Sequence, residues 1–271
     1  MHTSTHLTLA AFLVASALAV APWSAGAQRD QDEWLEDCRD RGSDYRERFC
    51  EVRESKLAVS RSISVDGMQN GGVRVIGWDR NEILVRAFIQ AEAESEEEAE
   101  RIAKEVKIET GSTIRAEGPS QRRRTSWGVS YDVFVPRRTD LELTTHNGGI
   151  GVKDVEGRIS FSATNGGVSL VGVGGDVRGE TTNGGLDVQL TGTKWSGEGL
   201  DVRTQNGGVS VTIPERYSAR FETGTTNGGM NIDFPITVQG RIRSRISTQL
   251  GEGGPLVRAV TTNGGVRVRR S

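Results

Sequence analysis

The tripeptide Asn-Gly-Gly occurs seven times in this chain of 271 residues, beginning at residues 70, 147, 165, 183, 206, 227 and 263. From residue 147 onward, successive copies are 18, 18, 23, 21 and 36 residues apart. Because 36 is twice 18, we expect a degenerate copy near residue 245, close to Gly251, Gly253 and Gly254. Repetition at a near-constant spacing indicates stacked structural units.

Each copy is followed by an apolar residue, a residue of any type and a second apolar residue, as in Ile150-Gly151-Val152. This alternation predicts a strand with one buried face. Thr residues precede the Asn in most copies and favour extended backbone, whereas Asn and Gly accept sharp corners. The predicted structural turns are Asn147, Gly148, Gly149, Asn165, Gly166, Gly167, Asn183, Gly184, Gly185, Asn206, Gly207, Gly208, Asn227, Gly228, Gly229, Asn263, Gly264 and Gly265.

The repeat predicts an all-β fold, a parallel β-solenoid with rungs of about 18 residues over residues 141–271. Equivalent positions of such rungs stack about 4.8 Å apart. The Asn side chains would then form a hydrogen-bonded ladder. An antiparallel meander or sandwich is the alternative, because Asn-Gly between alternating strands is also a hairpin signal.

Residues 58–140 have a different pattern and are predicted to cap the solenoid, whose end would otherwise expose strand edges. Segments Ser62–Val75 and Glu82–Gln90 are predicted to be strands. Ser95 is a plausible helix N-cap ahead of three Glu residues, which predicts one short α-helix ending near Val106.

Residues 1–27 are predicted to be a cleaved export signal. The apolar run Leu7–Ala21 is shorter than the roughly 20 residues needed to span a bilayer, and Ala25-Gly26-Ala27 fits a cleavage site. The segment before the run lacks Lys and Arg, and an uncleaved anchor or a buried segment is the alternative. We therefore expect an exported protein, periplasmic, on the cell surface or secreted, with no transmembrane span in the mature chain.

The two cysteines, Cys38 and Cys50, lie in a charged segment, residues 28–57, that we predict to be helical. Gln31–Arg41 and Asp44–Ser55 would be two short helices folded back on each other. An oxidising compartment favours a structural disulfide between the two cysteines. Intermolecular pairing, a metal pair and a redox pair are the alternatives, although no Cys-x-x-C motif is present.

Several of these motifs occur together in one known family. The segment Gly77-Trp78-Asp79, the Glu-rich helix, Val135-Pro136 and the serial Thr-Thr-x-Asn-Gly-Gly turns resemble the bacterial putative-adhesin family of exported β-solenoid proteins of unknown function. The resemblance covers residues 58–271. It implies a β-solenoid of the cell envelope and provides no catalytic residues.

Known catalytic, metal and cofactor motifs are not recognisable, so we expect no cofactor. The calcium-type pattern Gly174-Gly175-Asp176 occurs once, the glycines precede strands instead of helices, and His146 is the only His after residue 27. Paired carboxylates would be needed for glycoside cleavage. On chemistry alone the candidates are Asp154, Asp176, Glu180, Asp187 and Asp201.

The C-terminal region is basic, although the whole chain has a net charge of −2. Arginines at alternate positions of a strand share one face, and their planar guanidinium groups bind carboxylate and phosphate well. We predict a site for an anionic envelope polymer or a protein partner at Arg241, Arg243, Arg245, Arg267, Arg269 and Arg270. The alternative is that these residues only protect an exposed end from aggregation. The overall charge disfavours nucleic acid as a partner.

The function predicted from the sequence is a non-enzymatic, adhesin-like envelope protein whose solenoid is a scaffold or binding surface. One alternative is an envelope sensor or accessory factor that docks a protein partner through the disulfide segment. A second alternative is a carbohydrate-active enzyme, which would require carboxylates of adjacent rungs to converge in a groove.

Overall fold

The computed structural model describes residues 23–40, 46–121, 123–233 and 244–271, with side chains from residue 31 onward. The helices are α1 (Trp23–Asp40) and α2 (Glu96–Glu105). The strands are β1 (Glu47–Leu57), β2 (Ser62–Asp66), β3 (Val73–Trp78), β4 (Ile83–Ala93), β5 (Lys107–Thr110), β6 (Thr113–Glu117), β7 (Ser126–Pro136), β8 (Asp140–Thr145), β9 (Ile150–Lys153), β10 (Glu156–Ala163), β11 (Val168–Val171), β12 (Gly174–Asn183), β13 (Leu186–Gln189), β14 (Gly199–Asn206), β15 (Val209–Ile213), β16 (Ala219–Asn227), β17 (Met230–Asp233), β18 (Arg245–Leu250), β19 (Leu256–Asn263) and β20 (Val266–Arg270).

The described residues form two ten-stranded sheets. The first sheet has the order β1-β4-β7-β3-β9-β11-β13-β15-β20-β17, and the second has the order β18-β16-β19-β14-β12-β10-β8-β2-β6-β5. Each Asn-Gly-Gly joins a strand of the second sheet to a strand of the first, so the two flanking strands do not pair with each other. The corners are therefore not hairpin turns, and pairing within the repeat region is mostly parallel.

The apolar residues after each corner face the space between the sheets. Ile150, Val168, Leu186 and Val209 are each 2% exposed. The intervening residues of these strands point to the outer face. Burying a side chain of this size contributes about 1.5–3 kcal/mol to folding. The alternating burial confirms the prediction of strands with one buried face.

The spacing of stacked strands is 18 residues in one part of the second sheet and longer in the next. Leu141, Ile159 and Val177 are neighbours in register on β8, β10 and β12. Val177 then pairs with Leu200, because the connection after β13 adds residues, among them the buried Trp195, before β14 begins.

The stacking order departs from the chain order at the C-terminus. Strands β19 and β20 lie between the β14–β15 pair and the β16–β17 pair. The expectation of a degenerate copy near residue 245 is wrong, because the strand at that place, β18, pairs antiparallel with β16, whereas the strands of the repeat pair parallel. Gly251, Gly253 and Gly254 have positive φ angles and form the turn that leads back to β19.

The N-terminal β region continues both sheets beyond the repeats. The predicted strand Ser62–Val75 is two strands, β2 and β3, separated by the first Asn-Gly-Gly, while β4 contains nearly all of the predicted strand Glu82–Gln90. The short helix is confirmed as α2, whose N-cap Ser95 accepts a hydrogen bond from the backbone N–H of Glu98. The helix packs against β1 and β4 near one end of the stack.

The segment around the cysteines is only partly helical. Residues 47–57 form β1, so the predicted second helix is wrong: pairing with the full length of β4 overrides the helical tendency of these charged residues. Cys38 and Cys50 form a disulfide with a Cα–Cα distance of 6.3 Å, linking α1 to β1. Residues 1–22 of the predicted signal lie outside the described residues, and residues 23–27 belong to α1.

A candidate binding groove on the first sheet

A shallow groove of about 1130 Å³ crosses the outer face of the first sheet. It extends over eight neighbouring strands, from β7 through β3, β9, β11, β13, β15 and β20 to β17. At a strand spacing of about 4.8 Å, the groove is roughly 34 Å long. A site of this shape suits an extended molecule better than a compact one.

The second glycine of every Asn-Gly-Gly lines the groove. These glycines precede the first apolar residue of each strand, and next to them lies a row of outward-facing residues. The lining glycines are Gly72, Gly149, Gly167, Gly185, Gly208, Gly265 and Gly229, and the row beside them is Arg74, Gly151, Ser169, Asp187, Ser210, Arg267 and Asn231.

The two glycines of a corner have different roles. A Cβ on the first glycine, such as Gly184, would lie 2.0 Å from the carbonyl oxygen of Gly166, which no side chain allows. A Cβ on the second glycine, Gly185, would lie 3.4 Å from the nearest atom, the carbonyl oxygen of Gly208. The φ of Gly185 is also outside the left-handed region. The first glycine is thus required by stacking, whereas the second has room for a side chain that it does not carry.

The same contrast holds along the stack. The first glycines Gly148, Gly166, Gly184, Gly207, Gly228 and Gly264 would place a Cβ 1.9–2.2 Å from a neighbouring backbone oxygen. For the second glycines that have a neighbour within 4 Å, the nearest atom lies 3.3–3.6 Å away.

The Asn side chains of the corners form a continuous hydrogen-bonded ladder beside the groove. The amide of Asn165 donates to Asn147 at 2.8 Å, and that of Asn183 donates to Asn165 at 2.8 Å. The complete order is Asn70, Asn147, Asn165, Asn183, Asn206, Asn263 and Asn227. The ladder follows the order of the sheets instead of the chain order, and it fixes the corners in register.

A second set of hydrogen bonds, buried and here called the Thr ladder, explains most of the Thr residues that stand two positions before the Asn; β-propensity alone does not distinguish this position. Thr181 donates to the carbonyl of Gly166 and Thr204 donates to that of Gly184, each at 2.7 Å. These bonds satisfy the carbonyls of the first glycines. The hydroxyl of Thr225 is buried and has no hydrogen-bond partner among the described residues.

Charges in the groove are few and unevenly placed. Near one end, the Arg74 guanidinium donates to Asp132 with Nε–Oδ1 at 2.8 Å. Asp187 lies in the middle, and Arg267 and Arg269 lie exposed near the other end. The groove is therefore largely uncharged, with a basic end on β20.

A buried tyrosine belongs to β7, the strand at which the groove begins. The hydroxyl of Tyr131 has no partner among the described residues, and the residue is 1% exposed. Burial, reinforced by the charge of Asp66, raises the pKa of this hydroxyl. Tyr131 therefore stays protonated and does not supply a base to the groove.

The structure divides the predicted arginine cluster. Arg267 and Arg269 share the outer face in the groove, whereas Arg270 pairs with Glu215 at 3.2 Å. Arg245 lies on β18 and lines a smaller cavity on the second sheet. The remaining two, Arg241 and Arg243, lie outside the described residues.

The candidate carboxylates do not assemble into a catalytic pair in the groove. Within the described part of the chain, the groove carboxylates are Asp132 and Asp187, four strands apart and therefore roughly 19 Å from each other. Paired carboxylates of glycosidases lie about 5–10 Å apart.

Elsewhere, three of the candidate carboxylates are paired with arginine: Asp176 with Arg178, Glu180 with Arg203, and Asp201 with Arg258. Asp154 lies 4.0 Å from Arg137, and His146 is exposed. In the described ranges, no group of three or more His, Cys, Asp or Glu is placed to hold a metal.

Helix α1 covers the outer face beside the β7 end of the groove. Phe88 of β4 is the register neighbour of Ser130, which lines the groove. The ring of Trp34 packs on Phe88 with centroids 5.0 Å apart, and Gln31 donates to Glu54 of β1 at 2.7 Å. The groove is therefore bounded by α1 at this end.

Comparison with solved structures finds similar chains at low identity. A putative cell adhesion protein from Clostridium sporogenes is 11% identical with a TM-score of 0.43, covering 82% of this chain and 100% of that one. A putative adhesin from Parabacteroides merdae is 12% identical with a TM-score of 0.35, covering 81% and 95%. A putative lipid binding protein from Parabacteroides distasonis is 10% identical with a TM-score of 0.28, covering 81% and 96%.

Comparison with curated proteins finds no match. A family profile described as Toastrack DUF4097 matches residues 103–269, more than half of the chain. The matched region begins within α2 and contains six of the seven Asn-Gly-Gly corners, together with most of the groove. This chain belongs to the Toastrack DUF4097 family.

Proposed function

We propose that this protein is a non-enzymatic, adhesin-like scaffold of the cell envelope whose groove binds an extended polymer. The observation that supports this most strongly is the row of second glycines. A Cβ at these positions would lie 3.3 Å or more from the nearest atom, far less crowded than at the first glycines, yet seven neighbouring strands lack one, and the result is an unobstructed floor. A requirement for access by a ligand explains this row, whereas stacking explains only the first glycines.

The scaffold part of the proposal rests on the stacking of the corners. We propose a solenoid-like stack, with rungs of 18 residues where β8, β10 and β12 pair. The Asn ladder and the buried Thr bonds connect each rung to the next. A rod held in register by two ladders presents its outer face with little freedom to bend, which lowers the entropy cost of binding a long ligand.

The absence of catalysis is part of the proposal. The roughly 19 Å between Asp132 and Asp187 supports it, and so do the arginine partners of Asp176, Glu180 and Asp201.

Export is also proposed. The apolar segment at residues 7–21 and the Cys38–Cys50 disulfide both fit an oxidising compartment outside the cytoplasm. None of the helices in the described ranges is both long enough and apolar enough to cross a bilayer.

Blocking the floor tests the proposal. Gly167→Thr and Gly185→Thr together place two β-branched side chains, which strands accept well, in the middle of the groove. Gly111→Thr is the matched control, since Gly111 lies in the β5–β6 turn, away from the groove, with no atom within 4 Å of its Cβ position.

The probe is a printed array of bacterial envelope polysaccharides, lipid vesicles and extended peptides, with circular dichroism to verify folding. We expect binding that the groove variant loses and the control retains. Equal binding by both folded variants, or no binding by the unmodified chain, would contradict the proposed function.

A further inference from the structure

The chemistry of the groove identifies the class of polymer. Resting on the proposed function, we propose that the groove binds a linear acidic polysaccharide, with about one sugar unit per strand and a carboxylate at Arg267. Three features of the groove support this class of ligand: its repeat, its floor and its charge.

The repeat of the groove corresponds to the length of a sugar unit. Corners recur at each strand, about 4.8 Å apart, which is close to the rise per unit of an extended 1,4-linked polysaccharide. The amide of each interior Asn uses one N–H and one oxygen lone pair within the ladder, and an amide has two N–H donors and an acceptor oxygen with two lone pairs. The ladder itself therefore leaves one donor and one acceptor unused on each interior Asn, and these groups recur beside the groove at the spacing of the strands.

The floor favours a sugar over an acyl chain or a peptide. Glycine Cα groups and the hydroxyls of Ser169 and Ser210 combine C–H surface with hydrogen-bonding groups, as a sugar ring does. An acyl chain binds best in a site that buries most of its surface, whereas this groove is open to solvent. A peptide that adds a strand needs an unpaired sheet edge, whereas the strands from β3 to β20 are paired on both sides.

The charge of the groove selects an acidic polymer. Arg267 is exposed, and its register neighbours are Ser210 and Asn231, both neutral. The carboxylate in the same row, Asp187, is two strands away, roughly 10 Å. Arg269 has Asp233 as a neighbour, so its charge is partly compensated. Arg267 is therefore the main contact for an anionic group, and its planar guanidinium matches a carboxylate.

The length of the groove sets the length of the ligand. Seven second glycines span roughly 29 Å, and α1 bounds the far end next to β7. Affinity should thus rise with oligomer length up to about seven units and change little for longer chains.

The experiment measures binding of oligomannuronates of increasing length to the full chain by isothermal titration calorimetry, with cello-oligosaccharides as the uncharged probe. Arg267→Ser and Arg269→Thr introduce the residues of the neighbouring strand β15, Ser210 and Thr212, so the variants should fold normally. Arg220→Ser is the charge-matched control, because Arg220 is exposed on the other sheet.

We expect Arg267→Ser to weaken oligomannuronate binding about tenfold, Arg269→Thr less, and Arg220→Ser very little. Binding should fall as the pH drops below about 4, where sugar carboxylates become protonated while arginine stays charged. Cello-oligosaccharides should bind more weakly and show no dependence on Arg267.

Two results would overturn the inference while leaving the proposed function intact. In the first, the unmodified chain binds neutral and acidic oligomers with equal affinity, and Gly185→Thr abolishes both. In the second, the chain binds anionic phospholipid vesicles in a way that depends on Arg267, and it binds neither oligosaccharide. If oligomannuronate binds but Gly167→Thr with Gly185→Thr leaves its affinity unchanged, the groove is not its site and the proposed function also fails.

Discussion

The outer faces of the two sheets come from the same repeat unit but differ in character. On the second sheet, ion pairs recur along neighbouring strands, as between Arg158 and Asp140 and between Arg203 and Glu180. On the first sheet, glycine and serine follow each other across the middle strands, and the charges are confined to a few positions. Mutual pairing satisfies many of the charges of the second face, whereas the first face offers an open groove lined by glycine and serine. In a stacked fold, a row of glycines that stacking does not require therefore marks a binding surface.

The largest effect should separate the two glycines of one corner. Gly184→Ala places a Cβ 2.0 Å from the carbonyl oxygen of Gly166 and should lower the free energy of unfolding by about 2 kcal/mol or more. Gly185→Ala should change it by less than about 1 kcal/mol. Urea denaturation of both variants measures the difference. Equal losses would mean that both glycines are structural, and the second glycines would then no longer indicate a binding groove.

The next effect concerns the buried Thr ladder, which should stabilise the stack without serving the groove. Thr204→Val removes the bond to the Gly184 carbonyl at 2.7 Å and should cost about 1–2 kcal/mol in unfolding free energy. Thr225→Val is the control, because the Thr225 hydroxyl has no partner among the described residues. Thermal and urea unfolding of the two variants decide the matter, and a greater loss for Thr225→Val would contradict the assignment.

A smaller effect should distinguish the charges of the two faces. Arg203→Ser breaks the exposed pair with Glu180 and should cost less than about 1 kcal/mol of stability, because water screens such a pair. It should also leave ligand binding unchanged, unlike Arg267→Ser. A double-mutant cycle with Glu180→Gln measures the coupling, and a binding defect in Arg203→Ser would show that the second face contributes to recognition.

The smallest effect is a pH dependence on the second face. The backbone N–H and the guanidinium of Arg158 hold the pKa of Asp140 below its usual range. The resulting stabilisation is present above the unfolded pKa of about 3.9 and is lost as the pH falls through the lower folded pKa. Asp140→Asn should remove this contribution, so the free energy of unfolding of the variant should fall less as the pH is lowered. Unfolding curves between about pH 6 and 2 for both proteins check this, and identical pH profiles would contradict it.

The sequence is sufficient to predict the elements whose determinants are local. Alternating residues such as Ile150 and Val152 identify strands with one buried face, and Ser95 ahead of three Glu residues identifies the start of α2. The disulfide also follows from two cysteines in a chain expected to be exported.

Long-range features could not be read in this way. Residues 47–57 have a helical composition, and only pairing with β4 makes them a strand. In the stacking order, β19 and β20 come before β16 and β17, and this order depends on contacts between distant segments. The spacing of the copies therefore led to a wrong expectation near residue 245. The distinct roles of Gly184 and Gly185 depend on the positions of carbonyl oxygens in neighbouring strands, which the repeated tripeptide does not reveal.

Amide chemical-shift mapping of the ¹⁵N-labelled chain, during titration with an oligomannuronate of about seven units, tests whether the second glycines form the floor of a binding site. We expect shifts at the second glycines of the middle strands, such as Gly167, Gly185 and Gly208, and at Arg267, with the outer face of the second sheet unaffected. Shifts confined to the second sheet or to α1, with those glycines unchanged, would contradict it.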